Sequence, residues 1–436
     1  MVKSFMKPIL IITYYWPPSG GSGVQRWLKF VKYLPKLGYK PIVLTVDPDH
    51  AAYSIIDKSL LDEINHEAEV FYSKSKDPFK WYKKITRKKN IPQAGFAGQK
   101  SVGFLEKAMR FIRGNFFIPD ARKGWNKYAY KEAKELIKKY NIETFITTSP
   151  PHSSQLIGLR LKKEFNLKWI SDLRDPWTDI YYYNDLLHMS YAKKKDLRYE
   201  KATLESADEV IVVSLAIKKM FSDKYPGISS NKISVIPNGY DATDFEGISN
   251  LKNHSSEKFT ISYVGNMSEN YPMQSFLRVL NELIINSIGN IMFDITGSVN
   301  SSVDQYFKSN NIQESFLFNG YLPHSKAVEK LTYSNVLLLV IPKVKDNKGI
   351  LTGKLFEYLA AQKPILCIGP VDGDASKIIR ECNSGKTFDY DDEKGIKEYL
   401  IEVLNKPKSY AFNNEEKIKK YSREELAKTL VSLINK

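Results

Sequence analysis

The chain has 436 residues, 42% hydrophobic and 26% charged, with 65 Lys and Arg against 49 Asp and Glu. That length exceeds one small core and predicts two or three domains of about 100–200 residues, while the apolar share excludes a mostly disordered chain. Two cysteines, Cys367 and Cys382, exclude a disulfide framework or a four-cysteine metal site, and six histidines without His-Glu-x-x-His spacing argue against zinc.

Taken in chain order, β-branched runs predict strands at 8–14, 41–46, 144–148, 168–172, 209–213 and 233–236, then at 259–264, 291–296, 315–318, 335–341 and 364–368. Most are continuously apolar, the pattern of parallel strands covered on both faces. Helical patterns fall between them at 24–37, 127–140, 153–165, 195–206, 273–286, 325–333 and 353–361. The alternation predicts an α/β chain of doubly wound sheets. It breaks once, at the polar, aperiodic stretch 241–257, and then restarts at Phe259. The expected division is therefore 1–245, a linker at 246–257, 258–414, and an amphipathic helical segment at 415–436 packing back on the first domain. Two such domains, with ligands at the carboxyl ends of their strands, would face each other across a cleft.

No run reaches the roughly 18 apolar residues of a membrane-spanning helix. The apolar run 9–12 meets Tyr14, Tyr15, Trp16, Pro17 and Pro18 at once, which is no signal-peptide core. The chain reads as cytoplasmic. Its charge is uneven: residues 1–250 carry 41 basic and 27 acidic side chains, and the segment 74–139 alone carries 19 and 5. There the basic residues alternate with Phe79, Trp81, Tyr82, Phe96, Phe104, Phe111, Phe116, Phe117 and Trp125. Cations beside rings suit an anionic membrane surface, the same composition binds nucleic acid, and a solvated face over buried aromatics is the plain alternative.

Four stretches carry candidate chemistry. The first strand runs into Gly20-Gly21-Ser22-Gly23 and a helix with Arg26, a junction where backbone N–H groups can approach a phosphate. Neither the Walker spacing nor Gly-x-Gly-x-x-Gly is present, so a tight turn explains the glycines equally well. Thr148-Ser149-Pro150-Pro151-His152 again ends a strand and opens a helix. Trp169-Ile170-Ser171-Asp172-Leu173-Arg174-Asp175-Pro176-Trp177 crowds carboxylates, a guanidinium and an indole at a strand end, with Asp172 and Arg174 on one side by alternation. Arg122, in Asp120-Ala121-Arg122-Lys123-Gly124-Trp125, is a weaker relative of that cluster. Most informative is 350–365: Thr352 is a plausible N-cap that leaves the N–H groups at Gly353, Lys354 and Leu355 for a phosphate. Lys354 supplies a fixed cation, and Glu357 lies one turn on, within reach of a ribose, in an apolar setting that asks for a partner.

At these residues the sequence resembles retaining glycosyltransferases of family 4, which have the two-domain GT-B fold. The resemblance covers nearly the whole chain. It rests on Gly20-Gly21, the Ile236-Pro237-Asn238-Gly239 turn with Asp241 and Phe245, Tyr263-Val264-Gly265-Asn266, Thr296-Gly297-Ser298, and Phe356-Glu357-Tyr358-Leu359-Ala360-Ala361-Gln362-Lys363-Pro364. It implies transfer of a sugar from a nucleotide sugar to a glycan or lipid-linked acceptor with retention, without metal or other cofactor. Such an enzyme would serve surface polysaccharide or glycoconjugate assembly, peripheral on the membrane through 74–139, with nucleic acid not expected as a partner.

By the same resemblance, Glu357 would hold the donor ribose, and Gly353, Lys354 and Leu355 the diphosphate. Gly20, Gly21 and Ser22 would complete the phosphate cradle, with Asn266, Gly297 and Tyr321 around the rest of the nucleotide. His152, Asp172, Arg174, Arg122, Arg26, Asp175 and Trp177 would line the acceptor side, the first three beside the reacting centre together with Lys354. The resemblance implies front-face departure, the diphosphate deprotonating the acceptor, so no dedicated base is expected. Two departures stand out: Gly349 occupies the place of an acidic residue eight before Glu357, and 266–270 lack the usual Arg and Lys. Lys354 is the expected replacement for those phosphate cations, and an unusual donor such as a CMP-activated acidic sugar fits their loss. A nucleotide-sugar 2-epimerase of the same fold and a basic nucleic-acid-binding protein are the competing readings.

Overall fold

A computed structural model describes residues 6–53, 55–76, 104–246, 258–405 and 414–436. Most of the expected linker and the centre of the basic aromatic segment, with Phe79, Trp81, Tyr82 and Phe96, lie outside the described residues. The chain divides into two compact units, one of 1–237 with 426–436 and one of 238–425.

In the first unit, seven parallel strands are ordered β3-β2-β1-β4-β5-β6-β7: Lys7–Ile12 (β1), Tyr39–Val46 (β2), Glu69–Ser73 (β3), Thr144–Ser149 (β4), Lys168–Leu173 (β5), Glu209–Val212 (β6) and Ile233–Val235 (β7). In β1, Leu10 and Ile12 enter one core with Ile42, Leu44 and Trp169, and Ile9 and Ile11 enter another with Val43 and Ile146. Both faces of the sheet are thus covered, which is why these runs are continuously apolar. Burying each such side chain stabilises the fold by about 1.5–3 kcal/mol.

The helices are Ser22–Tyr33 (α1), Phe104–Phe116 (α2), Asn126–Tyr140 (α3), Ser153–Glu164 (α4), Ser190–Ser206 (α5) and Leu215–Lys224 (α6). The helix expected over 24–37 ends at Tyr33 because Pro35 starts a 3-10 turn closed by Gly38 in the left-handed region. At the other end of the chain, Leu426, Ala427, Leu430, Leu433 and Ile434 of the last helix complete the second of these cores, and Lys168 Nζ donates to the carbonyl of Leu433 at 2.7 Å.

The second unit has six parallel strands ordered β10-β9-β8-β11-β12-β13: Phe259–Val264 (β8), Ile291–Thr296 (β9), Phe316–Gly320 (β10), Val336–Val340 (β11), Ile365–Ile368 (β12) and Gly385–Phe388 (β13). Its helices are Gln274–Ile285 (α7), Ser301–Ser309 (α8), His324–Tyr333 (α9), Gly353–Ala361 (α10), Asp374–Glu381 (α11), Glu393–Asn405 (α12) and Glu415–Lys419 (α13), with Arg423–Asn435 (α14) leading back to the first unit. In each sheet the strand order reverses once, between β1 and β4 and between β8 and β11. That reversal opens a crevice at the carboxyl ends of the strands, where doubly wound sheets bind ligands. Among the described residues no helix is long and apolar enough to cross a membrane.

Candidate functional site

In the second unit the loops after β8 and β9 and the start of α10 converge. Gly265, directly after β8, has φ 128°, and Gly297, directly after β9, has φ 118°. A Cβ on Gly297 would stand 2.3 Å from the Gly265 carbonyl oxygen, so only glycine lets the two loops approach this closely. A Cβ on Gly265 would meet Lys354 Cε at 2.4 Å. The absent side chains make room for Lys354, whose Nζ donates to Tyr263 Oη at 2.6 Å and lies 4.2 Å from that ring's centroid and 5.5 Å from that of Tyr271. Tyr263 Oη in turn donates to the Asn266 carbonyl at 3.0 Å. Burial pulls the Lys354 ammonium down to about 7, against the pull of Glu357 that favours its charge.

Glu357, one turn along α10, faces His324 at the start of α9, with Oε1 and Nε2 3.3 Å apart and both side chains about a third exposed. His324 is the partner the apolar setting of Glu357 called for, and it comes from 33 residues away. Thr352 is the N-cap, yet its hydroxyl caps nothing and, among the described residues, is buried without a hydrogen-bond partner. The N–H of Leu355 is taken by the Thr352 carbonyl at 3.2 Å, and its side chain is in the core. That corrects the expectation that Leu355 offers its N–H to a phosphate; Gly353 and Lys354 remain as the first two helical residues, whose N–H groups have no intrahelical partner. The position where Gly353 would carry a Cβ is open space. Asn266 is exposed, its Oδ1 accepting from Ser298 Oγ at 3.0 Å, and Tyr321 stands in solvent after β10.

In the first unit Gly20 packs so closely on the 55–57 segment that a Cβ would lie 2.8 Å from Ile55 Cγ2. Gly21, at φ 90°, is the N-cap of α1, which Ser22 opens. Arg26 was expected to meet an acceptor, as was Asp172, and both are sealed in the core. Arg26 Nε and Nη2 donate to the Asp172 carboxylate at 3.2 and 3.1 Å, and Nη1 donates to the Pro237 carbonyl at 2.8 Å. Trp27 Nε1 and Thr148 Oγ1 each donate to Asp172 Oδ2 at 2.8 Å. With 1% and 0% of their side chains exposed, the pair has every strong partner supplied internally. Trp177 is buried as well, with Nε1 donating to Asp196 at 2.8 Å.

Three expected residues lie in the loops beyond β4 and β5, and Arg122 lies in the 3-10 turn Ala121–Trp125. Arg174 is clamped by the carbonyls of Ser149 and Gly23, both at 2.8 Å. Half-buried His152 stacks on Trp177, with ring centroids 4.7 Å apart, and burial next to Arg174 drives it down to about 3, so it is a neutral imidazole. Among the described residues its Nδ1 has no hydrogen-bond partner. Arg122 donates to the Ala52 carbonyl at 2.9 Å and lies over the Tyr14 ring. Asp175 is half-buried, and desolvation raises its pKa.

The sequence from 22 to 244 matches the family model described as Glycosyltransferase Family 4. The chain belongs to glycosyltransferase family 4. No curated protein matches it. Among solved structures it is similar to sucrose-phosphate synthase from Thermosynechococcus elongatus (15% identity, 98% of each chain covered, TM-score 0.65). Anabaena HepE in complex with UDP matches at 12% identity over 99% of this chain and 100% of that one, with a TM-score of 0.66. An S. aureus TarM variant in complex with fondaparinux, α-GlcNAc-glycerol and UDP matches at 12% over the same shares, with a TM-score of 0.61. At such identities the likeness shows the fold alone, and the protein is a glycosyltransferase of GT-B architecture. Sequence reasoning missed His324, Tyr263 and Tyr271 around the α10 start, since no local spacing links them to Lys354 or Glu357.

Proposed function

We propose that this glycosyltransferase takes its sugar from a nucleotide-sugar donor bound at the start of α10 and transfers it with retention to a glycan or lipid-linked acceptor. The carrying observation is the α10 N-terminus itself: a desolvated lysine, an unpartnered Thr352 hydroxyl and open space at Gly353, with Glu357 one turn away. A diphosphate fits that set. Helix N–H groups and the helix dipole favour its charge, Lys354 becomes a full cation beside it, and Glu357 exchanges His324 for the two ribose hydroxyls.

As the sugar–phosphate bond breaks, charge grows on the leaving phosphate, and donors already aimed there stabilise it without reorganisation. Retention, absence of a metal and acceptor deprotonation by the departing diphosphate are part of this reading. Two structural neighbours crystallised with UDP, which makes uridine diphosphate the first nucleotide to try. In the first unit, His152, Asp175 and Arg122 remain as acceptor contacts, with Gly20 and Gly21 as the backbone approach to a phosphate.

The same reading sets the enzyme at a membrane during surface polysaccharide or glycoconjugate assembly. α2 leaves Phe111, Ile112 and Phe116 exposed, beside exposed Leu187, Met189 and Tyr191, with Lys193, Lys194 and Lys195 directly following. Rings next to lysines suit an anionic lipid surface.

A thermal-shift panel with UDP, GDP, ADP, dTDP and CMP tests the donor assignment, because a ligand of the folded state must raise the melting temperature. One clear responder supports it. A folded protein that responds to none sinks it.

A further inference from the structure

Asp196 belongs to none of the motifs above. It lies on α5 one turn before Glu200, so the two carboxylates share a face of that helix, and both residues are sealed from solvent at 2% and 0% exposure. Glu200 is matched by a cation. Lys224 of α6 donates to its Oε1 at 2.6 Å, as does the Tyr225 hydroxyl. Its Oε2 accepts from the N–H and the hydroxyl of Thr178, at 2.8 and 2.9 Å. Asp196 has no such cation among the described residues. Its two oxygens accept from neutral groups, Trp177 Nε1 at 2.8 Å and Tyr183 Oη at 3.0 Å.

An amide would serve two donors of that kind without the cost of desolvating a carboxylate. Burial pushes Asp196 up to about 7, against the pull of its two donors and with Glu200 and Asp120 adding to the rise. Groups kept at such a cost concentrate where a protein does its chemistry.

What Asp196 holds points to that task. The buried Trp177 indole, fixed at Nε1, carries the His152 ring on its face, with centroids 4.7 Å apart and planes 13° from parallel. Tyr183 carries His188 in the same way, at 4.2 Å and 19°. One carboxylate thus fixes two aromatic rings, each with a histidine stacked on it. The stack sets the plane of His152. Its Nδ1 is sealed from solvent and, among the described residues, has no hydrogen-bond partner. A buried orphan N–H is costlier than an orphan lone pair, so the one proton of this neutral ring belongs on Nε2. Half-buried His152 therefore offers an N–H donor from a fixed plane just beyond β4.

We propose that Asp196 is a positioning residue for the transfer: through the Trp177 indole it holds the His152 ring so that Nε2–H orients the oxygen of the incoming hydroxyl. The assignment rests on the reading that His152 contacts the acceptor.

Histidine-ring NMR of the full chain tests the placement, with the His152 signals assigned by their loss in His152→Gln. His152 itself titrates only near 3, yet its signals should pass through an inflection near pH 7 as Asp196 ionises behind Trp177. The other charged groups around the pair are Arg174 beside His152, and Asp120 and Glu200, the latter with Lys224, beside Asp196. Asp196→Asn leaves all of them in place and should erase the inflection while keeping the ring-current shift of the stack. Asp196→Ala frees the indole and should lose that shift. No inflection at His152, or a folded Asp196→Ala protein with unchanged His152 signals, overturns the placement. An inflection at His188 alone does so too, because Asp196 would then titrate without reaching His152. The task is read as nucleotide release, with water as acceptor, from the sugar nucleotide whose base responds in the thermal panel. Asp196→Ala should lower kcat by about 10- to 100-fold with the donor KM kept, the size of loss that misplacement brings, and Asp196→Asn should restore most of it. Unchanged kcat in Asp196→Ala, beside an impaired His152→Ala protein, overturns the role. Unchanged kcat in His152→Ala faults the acceptor reading of His152 instead.

Discussion

Lys354 gives the donor reading a proton signature. Its ammonium, ordinarily near 10.5, is pulled down to about 7 in the free protein. The sign follows from linkage. Holding this lysine neutral contributes stability that is present above its unfolded pKa and is lost as the pH falls through about 7. A bound diphosphate reverses the preference, returning the lysine to its charged form. At pH 8 only about a tenth of the free protein is protonated there, so binding should take up about 0.9 proton. From pH 7 to 9 the protonated fraction falls about 50-fold, and nucleoside diphosphate affinity should fall with it by about 2.3 kcal/mol. Calorimetric titrations at pH 8 in buffers of different ionisation enthalpy count the proton directly. Lys354→Met should remove both the uptake and the pH slope. A wild-type affinity flat between pH 7 and 9, with no proton taken up, would refute the placement of Lys354 beside the phosphates.

Three further outcomes follow from the same geometry. Asp196 accepts from Trp177 and Tyr183 while burial pushes it up to about 7, so stability is full below about 4 and lost as the pH rises through 7. Asp196→Asn should flatten that dependence, recovering up to about 4 kcal/mol at pH 8 in chemical denaturation; a variant that is less stable at pH 8 than at pH 5 by the wild-type margin contradicts it. Gly297→Ala places a Cβ 2.3 Å from a carbonyl oxygen at φ 118°, where the backbone must shift, so a loss of about 1–3 kcal/mol in stability and weaker nucleotide binding are expected. In flotation assays the protein should co-migrate with vesicles containing phosphatidylserine but not with pure phosphatidylcholine. Replacing Phe111, Ile112 and Phe116 by serine should release it, and equal flotation of wild type and variant would speak against α2 as the lipid-facing element.

The strands with continuous apolar runs were legible because a sheet covered on both faces imposes that composition. Glu69–Ser73 and Gly385–Phe388 were not, since each is a short edge strand carrying polar residues. The Glu357 block was readable because loop, cap, cation and carboxylate lie within one stretch of sequence. His324, Tyr263 and Tyr271 reach that block only through folding, and a linear reading has no spacing with which to find them. The clearest misreading concerns Arg26 and Asp172, which stand in the first turns of a helix and at the end of a strand. They are 146 residues apart and meet inside the core, and only burial distinguishes such a pair from one offered to substrate.

The ribose contact of Glu357 is the most direct test of the whole account. The nucleotide that responds in the thermal panel is titrated calorimetrically into wild type and Glu357→Ala. Glu357 pairs with His324 at a partly exposed site, so the substitution should leave the melting temperature of the free protein nearly unchanged. Loss of the hydrogen bonds that the ribose hydroxyls donate to this charged acceptor should weaken binding by about 1.5–3 kcal/mol, a factor of roughly 10 to 150. A folded Glu357→Ala protein that binds the nucleotide as tightly as wild type would contradict the donor site described here.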